Sequence, residues 1–264
     1  MKHLKTTSHD LRELFERGIT IKNIAEALVS FDEHTAASEV YDCMCDKDYD
    51  VVGVRQLGVV RGYVQRDSVG DGELGAYMQP FEPDALLAES ASLLRVFAAM
   101  RGSSHVFVVI FGEVGGIVTR GDLQKAPVRM WLFGLISLIE MQLLRIIREG
   151  YPDDSWQPLL SEHRLYLAQK LLSDRQRRNE AIDLEDCLQF ADKRTILLKS
   201  RKLWKQMDFG SKSAGESLLE DLEKLRNRLA HAQDIMHDDS LKIIELATDA
   251  ERFLHCCENL IPGE

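Results

Sequence analysis

Two stretches of the chain, residues 35–68 and 91–122, run parallel to one another, and this internal repeat limits the fold more than any other feature. Each copy reads as an amphipathic helix, an apolar strand, a glycine-bearing turn, a second strand and a polar stretch that opens a helix. Val40 answers Val96, Met44 answers Met100, and Gly62 answers Gly116. The pattern predicts a β-α-β-β-α unit repeated in tandem.

The chain changes character at Ala126-Pro127. Proline disfavours helix at the residue before it and suits the first helical turn, so this pair marks a junction. Beyond it, almost everything carries helical periodicity. Residues 128–149 form a helix that is apolar nearly all round and therefore buried on more than one side; a neighbouring protomer would account for this. Further helices are predicted at about 158–173, 183–206 and 239–259, and one more starting near Ser213 or Glu216. Pro152, the Ser173-Asp174 region, Gly210 and Gly215 separate them. The predicted fold class is α+β, with an α/β-type tandem pair followed by an all-α antiparallel helical bundle. The expected divisions are a helical lead-in over 1–24, the tandem pair over 25–125 and the bundle over 128–260.

Composition narrows the classes of function. The N-terminus has no apolar core of the kind a signal peptide needs. The longest apolar run, Trp131–Ile139, is short of the ~20 residues that span a bilayer, so a cytoplasmic protein with no membrane association is expected. The five cysteines show no metal-binding spacing, and no metal site is predicted. A net charge of −10 argues against a nucleic-acid binder that is basic all over, although a local cleft stays open.

The second repeat closes in Gly116-Ile117-Val118-Thr119-Arg120-Gly121-Asp122-Leu123. This resembles the signature of CBS domains, which occur as tandem pairs and bind adenine nucleotides in the clefts between repeats. The resemblance covers about residues 20–125. It implies that Thr119 and Asp122 reach a ribose, with helix N-terminal amides close to the phosphates and with Arg120 and His105 as phosphate contacts. AMP, ADP, ATP or a related adenine nucleotide is the implied effector. Thr and Asp also favour helix N-caps, so the same residues are open to a purely local reading. The first repeat departs from the signature: Gln65 and Ser68 stand where Thr and Asp would, and its strand opens on the acidic Asp48-Tyr49-Asp50. One intact and one degraded site are therefore expected.

In the helical half, the segment SLLEDLEKLRNRLAHAQD carries Leu218, Leu222, Leu225, Leu229 and Ala232 on one stripe. At about 100° per residue, Asn227 and His231 project together on the opposite side. Arg226 lies on a flank, about 140° from His231. Two copies across a two-fold axis would bring an Arg and a His into one cleft. The spacing Arg226-Asn227-x-x-x-His231 in a helical bundle resembles the HEPN superfamily, many of whose members are dimeric, metal-independent endoribonucleases of toxin–antitoxin and defence systems. The resemblance covers about 128–260. It implies attack of an RNA 2′-OH on its own phosphate, with His231 moving the proton, Arg226 stabilising the phosphorane and Asn227 orienting the phosphate or the imidazole. Catalysis so arranged needs no cofactor. Gln233 stands where members paired with a nucleotidyltransferase carry Tyr, which disfavours that arrangement.

Residues 193–205 hold six basic groups, no acidic one, and Trp204. Lys193, Arg194, Lys199, Arg201 and Lys202 could track a phosphate backbone. A snorkelling solvent face explains the same residues. The function expected is RNA cleavage by a homodimer, regulated by an adenine nucleotide and accompanied by a protein partner or antitoxin. The competing expectation is a non-catalytic, nucleotide-responsive module that recruits a partner protein.

Overall fold

The computed structural model describes residues 8–207, 211–231, 233–235 and 240–260. Gly210 and Ala232, and the first seven residues of the expected lead-in, lie outside them. Helix α1 (Ser8–Gly18) is followed by β1 (Glu26–Ala27), β2 (Ser30–Asp32), α2 (Ala37–Lys47), β3 (Val51–Gln56) and β4 (Val59–Gln65). The second repeat supplies β5 (Leu86–Ala88), α3 (Leu93–Ala99), β6 (His105–Ile110) and β7 (Glu113–Thr119). Then come α4 (Ala126–Gly150), α5 (Glu162–Gln176), α6 (Phe190–Lys199), α7 (Arg201–Gln206), α8 (Lys212–Ala230) and α9 (Ser240–Asn259). The chain divides into two compact units, one of residues 16–128 and one of 129–264 together with the residues up to Phe15. The lead-in helix thus belongs largely with the helical unit.

The repeat holds at the level of register. Val54 pairs with Gly62 and Val108 with Gly116, and each ladder shifts register at the very next residue. Both hairpins turn on a left-handed pair, Leu57-Gly58 and Phe111-Gly112, the backbone that a tight hairpin demands. Val40, Met44, Val96 and Met100 are fully buried, at equivalent places on α2 and α3. The expected closing helices are reduced to short 3₁₀ turns, Arg66–Ser68 and Arg120–Gln124.

The sheets are ordered β2-β3-β4 and β1-β7-β6-β5. The lead-in of each repeat pairs with the hairpin of the other. β1, before the first repeat, lies antiparallel to β7 with Ala27 opposite Gly116. Gln79, before the second repeat, bridges Tyr63 of β4. Both crossings need a residue without a side chain. A Cβ at Gly116 would sit 3.1 Å from the Val108 Cβ and 3.2 Å from the Glu26 carbonyl. A Cβ at Gly62 would run into the Gln79 carbonyl and the Met78 side chain.

In the helical unit, ion pairs join α6 to three other helices. Lys193 and Arg194 of α6 meet Glu140 of α4 and Glu223 of α8, while Arg164 of α5 grips Asp192 of α6 through two hydrogen bonds. Arg12 of α1 reaches Glu251 and Glu258 of α9, and Phe15 lies where a side chain at Gly134 of α4 would be. The helix expected over 183–206 is broken into three: a 3₁₀ turn at Leu184–Cys187, α6, and α7, which the Ser200 hydroxyl caps by accepting from the Leu203 amide. At 25 residues, α4 is long and apolar enough to cross a membrane by length and composition, and 61% of its most apolar stretch is buried in the protein. Met130, Phe133 and Met141 are its exposed apolar residues.

Gly62→Ala should destabilise the sheet unit by about 1–3 kcal/mol through overpacking. Gly115→Ala, whose Cβ finds its nearest neighbour at 3.6 Å, should be close to neutral. Urea midpoints of the two variants against the parent check this.

Candidate functional site

The end of β7 delivers Thr119 and Asp122 into a tight turn. The Thr119 amide donates to Asp122 Oδ2 at 2.6 Å and its hydroxyl to the same oxygen at 3.1 Å. The other carboxylate oxygen, Oδ1, takes the Lys125 ammonium at 2.7 Å. That ammonium also donates to the Ile24 carbonyl at 2.7 Å and to Glu26 Oε1 at 3.0 Å. Burial opposes the charge on Lys125, but these hydrogen bonds outweigh it and hold its pKa above the usual lysine value. One buried carboxylate thus both caps the turn and holds the Lys125 ammonium. Thr20 and Asn23 repeat the cap, the Thr20 amide donating to Asn23 Oδ1 at 2.8 Å.

Thr119 and Asp122 line a cleft of about 380 Å³. Its apolar wall includes Ala27, Leu28 and Ile117, and its polar wall includes Asp48 and Asp50 from the loop before β3. The acidic opening of the first repeat thus faces the signature of the second. One cleft carries Thr119 and Asp122 of the signature and the other carries Gln65 in the equivalent place, while each cleft takes its halves from both repeats. Arg66 holds the acidic pair, donating to Asp48 Oδ1 and Asp50 Oδ1. Asp48 closes α2 in the left-handed conformation at φ 55°, which Asp and Asn tolerate better than most residues.

A second cleft, of about 820 Å³, lies at the end of β4 and is lined by Tyr63, Gln65, Arg95 and the Ser103-Ser104-His105 turn. His105 borders both clefts. It is buried, 6% exposed, with Ser104 Oγ 3.1 Å from its Nδ1 and the rings of Tyr63 and Phe107 packed edge-on. Burial pushes its pKa below the usual histidine value, against a smaller upward pull from Asp50. A neutral ring is a weak phosphate contact. Arg120 lines neither cleft, and its Nε is buried without a hydrogen-bond partner. The five-residue 3₁₀ turn at Arg120–Gln124 replaces the helix whose amides were expected near phosphates.

In the helical unit, Leu219, Leu222 and Leu225 form the buried face of α8, and Arg226 sits at its edge with Nε buried. The guanidinium donates to Asn227 Oδ1 at 3.4 Å. Asn227 and His231 are exposed, His231 at the C-cap. Arg129 of α4 steadies this end of the helix by donating to the carbonyls of Arg228 and Gln233. Arg226 and Asn227 are thus brought together, and His231 shares the exposure of Asn227. The basic stretch is dispersed. Lys193 is buried against Glu140, Arg194 is paired with Glu223, and Lys199 and Lys202 donate to the carbonyls of Leu159 and Gly150. Arg201 is exposed.

Sequence reasoning missed Lys125 and Arg66, and the exchange of halves between the two clefts. The charges of Lys125 and Asp48 were readable, but not that Lys125 grips Asp122 or that Asp48 lines the same cleft as Asp122, because a repeat shows its own halves and hides their exchange.

No protein-family model matches the chain, and no curated protein matches it. Among solved structures, it is similar to the CBS domain of a bacterial CNNM/CorC family Mg²⁺ transporter in complex with ATP, at 15% identity over 46% of this chain and 92% of that one, with a TM-score of 0.36. It is also similar to the CBS domains of a transcriptional regulator from Streptococcus pneumoniae, at 20% identity over 39% and 95%, TM-score 0.35. A CBS domain protein of unknown function from Thermoplasma acidophilum gives 18% identity over 44% and 75%, TM-score 0.35.

Because the folded His105 resists protonation, an unfolded chain with an ordinary histidine pKa near ~6.5 binds the proton first as pH falls. The parent should lose stability between pH 7 and 5 more steeply than His105→Phe. Thermal melts of both at the two pH values measure the difference.

Proposed function

We propose that the sheet unit senses an adenine ribonucleotide or a related ligand, and that the helical unit cleaves RNA under its control. One observation carries the sensor reading: a buried carboxylate, Asp122, lines a cleft of ligand size beside an apolar wall. Asp122 and Thr119 hold the ribose, and AMP, ADP or ATP is the class of effector. Asp122→Asn keeps the cap, which Asn23 already makes with an amide oxygen, and leaves Lys125 its bonds to the Ile24 carbonyl and Glu26 in place of the lost ion pair. Calorimetry should show adenine-nucleotide binding by the parent and a loss of at least tenfold in the variant, with little change in melting temperature. Unchanged binding sinks the assignment of Asp122.

For the output, His231 moves the proton, Arg226 stabilises charge on the phosphate, and Asn227 orients it. His231 and Asn227 are open to solvent, which supports access by a large substrate. The protein acts in this reading as a cytoplasmic homodimer, and the exposed Met130, Phe133 and Met141 of α4 supply an apolar face for the second copy. A protein partner or antitoxin completes the proposal. The dispersal of Lys193 and Arg194 into interhelical ion pairs favours the second reading, a non-catalytic module that recruits a protein.

Incubation with RNA in EDTA, with and without adenine nucleotides, separates these readings. The enzyme predicts cleavage that persists in EDTA and falls at least about 10²-fold in His231→Ala. RNA left intact under every condition overturns it. Phe133→Glu should shift the mass measured by light scattering from dimer to monomer; a parent that is already monomeric refutes the shared cleft.

A further inference from the structure

The cleft that holds Asp122 is charged in the wrong sense for a phosphate. Glu26, Asp48, Asp50 and Asp122 put four carboxylates on its lining, with Lys47 as the lining cation. Two further cations reach these carboxylates, and both are already committed. Arg66 binds Asp48 and Asp50, and Lys125 binds Asp122 and Glu26. Lys47 is exposed to solvent. His105, the remaining basic group on the wall, is kept neutral by burial. A 5′-phosphate entering this space meets carboxylates whose counter-charges are spent, and since Asp48, Asp50 and Glu26 are largely exposed the repulsion is strongest at low salt. Hydroxyl and amino donors meet the opposite situation, since every ionised carboxylate only accepts.

We infer that this cleft selects a phosphate-free ribonucleoside, neutral or cationic, over the corresponding 5′-phosphates. The inference rests on the ribose-binding reading of Thr119 and Asp122 given above and narrows the preferred ligand of this cleft from the adenine nucleotides to the nucleoside they share. The acidic pair acts as the filter. Asp48 and Asp50 exclude the phosphate directly, and by occupying Arg66 they remove the guanidinium that would otherwise receive it. Arg66 sits in the turn after β4, so the filter is built from the first repeat and the ribose acceptor from the second.

The filter can be removed without touching the ribose acceptor. Asn tolerates the left-handed backbone of position 48, and the Asp50 side chain is 82% exposed, so Asp48→Asn with Asp50→Asn should preserve the fold. The experiment is calorimetry of the full chain with adenosine and with AMP at low salt, repeated on the double variant and on Asp122→Asn. Adenosine should bind the parent at least tenfold more tightly than AMP, and the double variant should close or invert that ratio by freeing Arg66. Asp122→Asn should weaken adenosine binding in either background. If AMP binds the parent as tightly as adenosine, or the ratio is unchanged in the double variant, the filter is wrong while the site stands. If neither compound binds, the site reading itself is overturned, and the filter with it.

Discussion

The absence of a side chain at two positions holds the sheet unit together. Gly62 and Gly116 sit at the same register in their hairpins, opposite Val54 and Val108, and each lets the segment that leads into the other repeat lie against its backbone. At Gly116 the visitor is β1, and at Gly62 it is the segment around Gln79. Larger residues would push these crossings away, and the clefts would lose one wall. The exchange follows from that close approach. Asp48 and Asp50 come to face Asp122 although they belong to different repeats, and Ser103 to His105 come to face Gln65. The chemistry of each cleft is therefore a mixture that neither repeat contains alone.

The helical unit depends on a different device. α6 is nearly neutralised by its neighbours: Asp192, Lys193 and Arg194 each meet an opposite charge on α5, α4 and α8. Partly buried pairs of this kind are weak evidence of net stability, because desolvation offsets much of the attraction. They fix which helix meets which, and so place the C-terminal end of α8 under Arg129. The residues of the proposed catalytic group lie just there.

Much of the sheet unit was legible because its signals are local. The period-two apolar runs, the turn glycines and the equivalence of Val40 with Val96 and Met44 with Met100 read directly as strands and helices. The short 3₁₀ turns in place of closing helices were not legible, since Thr and Asp cap either kind of turn. The basic run at 193–205 shows the limit of composition. Its charges looked like one face, but helix α6 ends at Lys199, and two of its cations point into neighbouring helices. Arg226 shows the same limit, because the buried face of α8 runs through Leu219, Leu222 and Leu225 and reaches it from the side. A helical wheel gives angles; packing decides which angle is wet.

The crossing of β1 onto β7 also sets an order of events during synthesis. Glu26 and Ala27 leave the ribosome early, yet their partners Ile117 and Gly116 emerge only when almost the whole sheet unit has been made. Until then the first repeat has its own hairpin and helix but lacks the neighbour that its leading segment requires. Long-range pairings of this sort slow folding, because the chain must close a large loop before the contact repays it. The sheet unit is thus committed to folding in one piece, and a nascent chain halted before Gln79 would expose the unpaired edge of β4, with Gly62 bare, to whatever strand came by.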